Sequence, residues 1–110
     1  MVEQALSLDS IFGSLADPTR RDIIGRVADR ELSVGEIAGK YDLSLAAISK
    51  HLKVLEKAKL IIKQRRGRQQ YVTLSPAALA NAEDYLRHYA KLTSRRLDSL
   101  EEYISKENQS

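Results

Sequence analysis

Residues 44–60 read SLAAISKHLKVLEKAKL, and residues 61–70 continue IIKQRRGRQQ. Ser44 is a helix N-cap by type, and the following apolar residues recur with helical spacing. With Ile48 set at zero and about 100° per residue, Leu52 and Leu55 lie within roughly 40° of it. Ala46, Ser49, Lys50, Lys53 and Lys57 fall on the opposite side, between roughly 100° and 200°. One face is apolar and the other basic. The next segment changes period. Ile61 and Ile62 precede the charges, and Tyr71, Val72 and Thr73 follow them, around Gly67 between Arg66 and Arg68. That is a hairpin with a glycine at its turn and Arg65, Arg66 and Arg68 near its tip.

Between Ser44 and Gln70 there are eight basic residues and one acidic residue, Glu56, a net charge of +7. The whole chain carries only +3, so the remainder carries −4. Charge concentrated in this way is an electrostatic footprint for a polyanion. A lysine-rich solvated face is the other reading of a basic helix taken alone, and the rest of the chain has to separate the two.

Upstream, Leu8, Ile11, Phe12 and Leu15 form an amphipathic stripe over 8–16. Asp17 and Pro18 are the N-cap and first position of a second helix that buries Ile23, Ile24 and Val27. Ser33 and Glu36 form a capping box for a short third helix, with Val34, Ile37, Ala38 and Tyr41 inward. Asp42 and Leu43 are read as a turn in which Asp tolerates the left-handed conformation. Downstream, Ser75 and Pro76 open a helix predicted over 76–107, with a frayed KENQS tail. Its stripe runs through Leu79, Ala82, Leu86, Tyr89, Thr93, Leu97, Leu100 and Ile104. A helix of about 30 residues is about 45 Å long, longer than so small a domain covers. The stripe therefore outruns the chain's own core and reads as an intermolecular surface, most simply a twofold dimer. Packing within its own chain is the alternative.

At 110 residues the chain is read as one domain, 1–110. Its DNA-binding core is placed at 17–75, with a wing near 63–70. There is no cysteine, hence no thiolate site or cysteine nucleophile. The N-terminus lacks a signal-peptide pattern and no stretch is long and apolar enough to span a membrane, so a cytoplasmic location is expected. No phosphate loop or nucleophile–base pattern is present, which argues against an enzyme. The predicted fold is mainly α with a small β-hairpin, in the order α-α-α-α-β-β-α: a winged helix-turn-helix whose reading helix is 44–57.

LADPTRRDIIGRV (15–27), LSVGEIAGKYDLSLAAISKHLKVLEKAKLI (32–61) and RRGRQQYVTL (65–74) resemble the ArsR-type transcriptional regulators. The likeness covers roughly residues 8–104, and DPTRR and the S-x-H-L-K-V-L run at Ser49–Leu55 are its most specific parts. It implies a homodimeric winged-helix repressor of double-stranded DNA, with the first and last helices as the dimer interface. Leu8, Phe12, Leu86, Tyr89, Leu97 and Leu100 are the expected interface residues. It places Ser44, Leu45, Ala46, Ser49 and Lys50 in DNA-facing positions. Metal-sensing members carry E-L-C-V-C-D-L where this chain has ELSVGEI, so Ser33 and Gly35 replace the cysteines. Asp84 and His88 on the last helix fall short of a ligand set. No metal and no cofactor is expected, and the chain resembles the branch that includes autorepressors.

Individual roles follow. Lys50 and Lys53 are candidates for guanine edges or phosphates, and Ser49 for either. Leu45 and Ala46 have no polar group, leaving thymine methyls as the feature they would read, and Leu45 has the alternative of leaning into the core. His51, on the flank of the helix, is a helix-positioning residue or a phosphate contact. Arg66 and Arg68 are expected at the minor groove. Arg20 and Arg21 are candidate phosphate clamps at a helix N-terminus, or partners of Asp17 or Asp22. The competing function is a winged-helix protein-interaction module that binds no nucleic acid. A basic reading helix and an arginine-tipped wing are what such modules usually lack.

Overall fold

The computed structural model describes residues 7–109; residues 1–6 and 110, part of the single-domain expectation, lie outside them. Eight elements follow in order: α1 (Leu8–Ser14), α2 (Pro18–Asp29), β1 (Leu32–Ser33), α3 (Val34–Ala38), α4 (Leu45–Lys57), β2 (Ile61–Arg66), β3 (Gln69–Leu74) and α5 (Pro76–Gln109). Local chemistry opens most of the helices. Ser7 accepts from the Ser10 N–H, Asp17 from the Arg20 N–H, and Ser44 from the Ala47 N–H, each satisfying an orphan donor of a first turn. Ser33 and Glu36 form the reciprocal capping box, at 3.0 Å for Glu36 N–H to Ser33 Oγ and 2.9 Å for Ser33 N–H to Glu36 Oε1.

α1 ends at Ser14, two residues before the expected end of its stripe. The reason lies just beyond. Asp17 precedes a proline and is held extended, so the chain must leave the helical region before it. α5 instead runs past 107 to Gln109, because Lys106, Glu107 and Gln109 are adequate helix formers and no glycine or proline stops them. The turn at Asp42–Leu43 needs no left-handed residue. Among the described residues positive φ occurs only at Lys59 (65°) and Gly67 (64°).

Both positions shape the wing. α4 ends in a Schellman motif: Leu60 N–H donates to Leu55 O and Lys59 N–H to Glu56 O, each at 3.0 Å. Leu55 and Leu60, both fully buried, supply the hydrophobic contact that accompanies it. Lysine thus occupies a site that usually takes glycine. β2 and β3 pair antiparallel from Ile61↔Leu74 to Arg66↔Gln69, joined by Gly67–Arg68. Gly67 alone has positive φ there, the arrangement of a type II′ turn.

The sheet has a third strand that the sequence reading lacked. β1 pairs with β3 (Leu32↔Val72, Ser33↔Tyr71), giving the order β1-β3-β2. Two residues are too few to show a period, and their partner lies 40 positions away, so no local signal marks them. The core gathers Ile11, Ile23, Val27, Leu32, Ile37, Ile48, Leu52, Leu55, Leu60, Ile61 and Val72 from the helices and the sheet. α5 adds only Ala78 and Ala82 as buried residues. Beyond Ala82 every described residue of that helix is exposed, including Leu86, Tyr89, Leu97, Leu100, Tyr103 and Ile104.

Candidate nucleic-acid interface

The face of α4 opposite Ile48, Leu52 and Leu55 carries Ala46, Ser49, Lys50, Lys53 and Lys57, all exposed. Ser44, its cap, is exposed too. Leu45 is 62 % exposed and does not lean into the core. It sits in the first turn, ahead of Ile48, where the apolar interior has ended. Leu43, just before the cap, is also exposed.

Of the eight basic residues between Ser44 and Gln70, two are neutralised. Lys63 Nζ lies 3.3 Å from Glu56 Oε1. Arg66 pairs with Glu31, and its guanidinium stacks over the Tyr71 ring at 4.1 Å. Arg66 and Tyr71 share one face of the hairpin, and Arg65 points to the other. Lys50, Lys53, Lys57, Lys59, Arg65 and Arg68 have no ion pair among the described residues. The uncompensated charge therefore sits on α4, on the turn after it and at the wing tip.

Arg20 and Arg21 have partners inside the chain. Arg20 Nε donates to Ser14 O at 2.7 Å, and its terminal nitrogen lies 3.2 Å from His51 Nδ1. Arg21 donates to Leu15 O at 2.8 Å. The two side chains thus satisfy carbonyls at the C-terminal end of α1, and neither is salt-bridged to Asp17 or Asp22. Because a guanidinium only donates, His51 Nδ1 accepts, which places the ring proton on Nε2. Half-buried His51 is thereby tied to α1 through Arg20. Nothing in the sequence announces this tie, since Arg20 and His51 are 31 positions apart.

Asp22 accepts instead from Arg26 (2.9 Å) and from the Tyr41 hydroxyl. The Tyr41 bond first, then that of Arg26, holds the Asp22 carboxyl below its usual range. Burial, followed by the charge it bonds, raises the Tyr41 hydroxyl. The Arg20 backbone N–H lowers Asp17, and the Ser33 backbone N–H lowers Glu36. These groups brace α2 and α3 behind the reading helix.

Leu8 and Phe12 are half-buried on α1, and Phe12 packs against Tyr85 of α5 with ring centres 5.9 Å apart and planes tilted by 56°. An open groove between α1 and α5 is lined by Phe12, Leu15, Leu79, Ala82 and Leu86, among others. Asp84 and His88 are exposed, with His88 edge-on to Tyr89. Among the described residues no three His, Asp or Glu side chains converge to hold a metal ion. Among the described residues no helix is long and apolar enough to cross a membrane.

Residues 15–64 match the helix-turn-helix domain family. The HTH-type transcriptional regulator Rv2034 of Mycobacterium tuberculosis is 42 % identical over 74 residues, covering 67 % of this chain and 69 % of that protein. The transcriptional repressor SdpR of Bacillus subtilis is 28 % identical over 74 % of this chain and 91 % of its own. The crystal structure of the ArsR family transcriptional regulator RHA00566 superposes with a TM-score of 0.76 at 30 % identity, covering 86 % of this chain and 97 % of that one. An ArsR-like regulator from Rhodococcus sp. RHA1 superposes at 0.78 and 26 % identity, over 90 % and 91 %. With the helix pair, the wing and the long last helix all in place, the chain belongs to the ArsR-type winged helix-turn-helix family of DNA-binding transcriptional regulators, and it is not an enzyme.

Proposed function

We propose that the protein is a cytoplasmic homodimeric repressor that holds an inverted-repeat operator with two copies of α4 and steadies it with two wings. The observation that carries this is the unpaired basic face of α4, continuous in sequence with the unpaired Arg65 and Arg68 of the wing. Ser49 and Lys50 stand near the N-terminal end of the helix, where side chains reach base edges. Lys53, Lys57 and the wing are further along, suited to phosphates. The repressor named among the relatives supports the direction of regulation.

Dimerisation is supported by the face of α5 that the chain leaves uncovered. Leu97 and Leu100 are 61 % and 55 % exposed, and they lie on the same stripe as Leu86 and, near its edge, Tyr89. Phe12 lies beside the start of that stripe, and Leu8 precedes Phe12 by about one turn on α1. An apolar row of this length is covered in a stable protein by another surface. A second copy related by a twofold axis supplies one. Two reading helices so related favour half-sites about 10 to 11 base pairs apart.

The test is a salt series of fluorescence anisotropy titrations with a selected operator and a scrambled duplex. Lys50→Ala is expected to cost about 1–3 kcal/mol per half-site and to flatten preference at one or two positions. Arg65→Ala with Arg68→Ala is expected to weaken both duplexes alike and make the log–log salt slope shallower by roughly 2 per subunit. Arg66, neutralised by Glu31, contributes less to that slope. If the wing variant loses sequence preference while Lys50→Ala loses only general affinity, the roles are reversed. A wild type that binds no duplex at low salt overturns the proposal.

A further inference from the structure

The exposed surface of α4 is not uniformly polar. Its first turn presents Leu45, 62 % exposed, followed by exposed Ala46, and Leu43 is 43 % exposed just ahead of the cap. One turn further on, at i+4 from Leu45 and Ala46, the face becomes Ser49 and Lys50. Leu45 lies about 60° from the core direction set by Ile48, near enough to have been buried, yet the fully buried side of the helix begins only at Ile48 and Leu45 stays exposed. All three are exposed, and none belongs to the core cluster or to the partly buried side chains packed against it. They also stand beside the unpaired cations of the same helix, so whatever covers them combines apolar spots with strong negative charge. The major groove of DNA is such a surface. Its apolar features are the methyl groups at C5 of thymine and of 5-methylcytosine.

We infer that Leu45, with Ala46 and Leu43 beside it, is a specificity-determining surface that reads pyrimidine C5-methyl groups in each half-site. This rests on the proposed DNA-reading role of α4. The reading helix works in two parts. The apolar first turn selects a methyl-bearing pyrimidine by removing its methyl and the leucine from water together. Ser49, Lys50 and Lys53 supply hydrogen bonds and charge. Such a surface accepts no base through donor–acceptor pattern, so it tolerates thymine and 5-methylcytosine alike and discriminates against uracil and unmodified cytosine.

The experiment starts from the duplex preferred in selection from a random pool. Thymines are replaced by deoxyuridine one at a time, leaving pairing and all hydrogen-bonding groups unchanged. Removing one methyl is expected to weaken binding about fourfold at one or two thymines per half-site, and about fifteenfold when both symmetry-related methyls are removed. At those positions a 5-methylcytosine pair is expected to bind better than a cytosine pair by a similar factor. In Leu45→Ala, which keeps a strong helix former at an exposed site, the uracil penalty at the matching position is expected to disappear. A uracil penalty below twofold at every position overturns the inference, and so does an equal penalty in wild type and Leu45→Ala. The absence of any preferred duplex in the initial selection is a distinct result. It overturns the DNA-reading proposal before any methyl is removed, and this inference with it.

Discussion

Arg20→Ala separates two physical roles for one cation. In the folded chain Arg20 donates from Nε to Ser14 O at 2.7 Å and faces the lone pair of His51 Nδ1 at 3.2 Å. It thereby joins the end of α1, the start of α2 and the middle of α4. With a longer one to Gly13 O at 3.5 Å, these hydrogen bonds from a partly exposed charged donor contribute about 1–3 kcal/mol between them. For a chain of this length that corresponds to a fall in Tm of about 4–12 °C. Because the guanidinium is already engaged, the salt dependence of DNA binding is expected to keep its slope, while sequence preference weakens as α4 loses its anchor. A phosphate clamp behaves oppositely. Its loss leaves Tm unchanged and makes the log–log salt slope shallower by about 1 per subunit. Thermal unfolding with a salt series of anisotropy titrations reads both quantities on one sample. Arg20→Lys is expected to resemble Arg20→Ala, since an ammonium cannot reproduce the two-pronged reach to Ser14 and His51. A variant with wild-type Tm and a slope reduced by about 1 per subunit refutes the anchoring argument.

Leu97→Glu with Leu100→Glu is expected to convert a sedimenting dimer into monomer and to weaken operator binding; a wild-type monomer at micromolar concentration sinks the dimer. Lys59→Gly relieves a left-handed lysine at the end of α4 and is expected to stabilise by up to about 1 kcal/mol in urea unfolding, with a slightly shallower DNA salt slope because one cation is lost. A Lys59→Gly variant that unfolds at lower urea contradicts that account. Asp17, Asp22 and Glu36 have carboxyls held below their ordinary values, so their stabilisation is fully present above about pH 5 and is lost as pH falls through their folded values. Asp17→Asn keeps the cap, and with Glu36→Gln it is expected to flatten the acid limb of stability against pH while changing little near neutrality. An unchanged acid limb is the contrary result.

What the sequence by itself determined is what short-range chemistry controls. Caps act over three residues, so Asp17, Ser33 and Ser44 marked three helix starts. A helical period repeats within a turn, so Ile48, Leu52 and Leu55 marked the buried side of α4 and left the lysines outside. Gly67 marked the hairpin turn because positive φ is a property of one residue. Tertiary structure alone decided where side chains with several available partners settled. The second residue of β1 and Tyr71 meet only once the sheet assembles, and two residues carry no period of their own. Arg20 and Arg21 had acidic neighbours in sequence, yet the geometry of the α1–α2 junction turned them to the carbonyls of α1. Arg66 pairs with Glu31 because the fold brings that residue, 35 positions away, beside it. Leu45 was a core residue or a surface residue by angle alone. The interior stops at Ile48, and that boundary, a matter of where other elements end, put Leu45 outside.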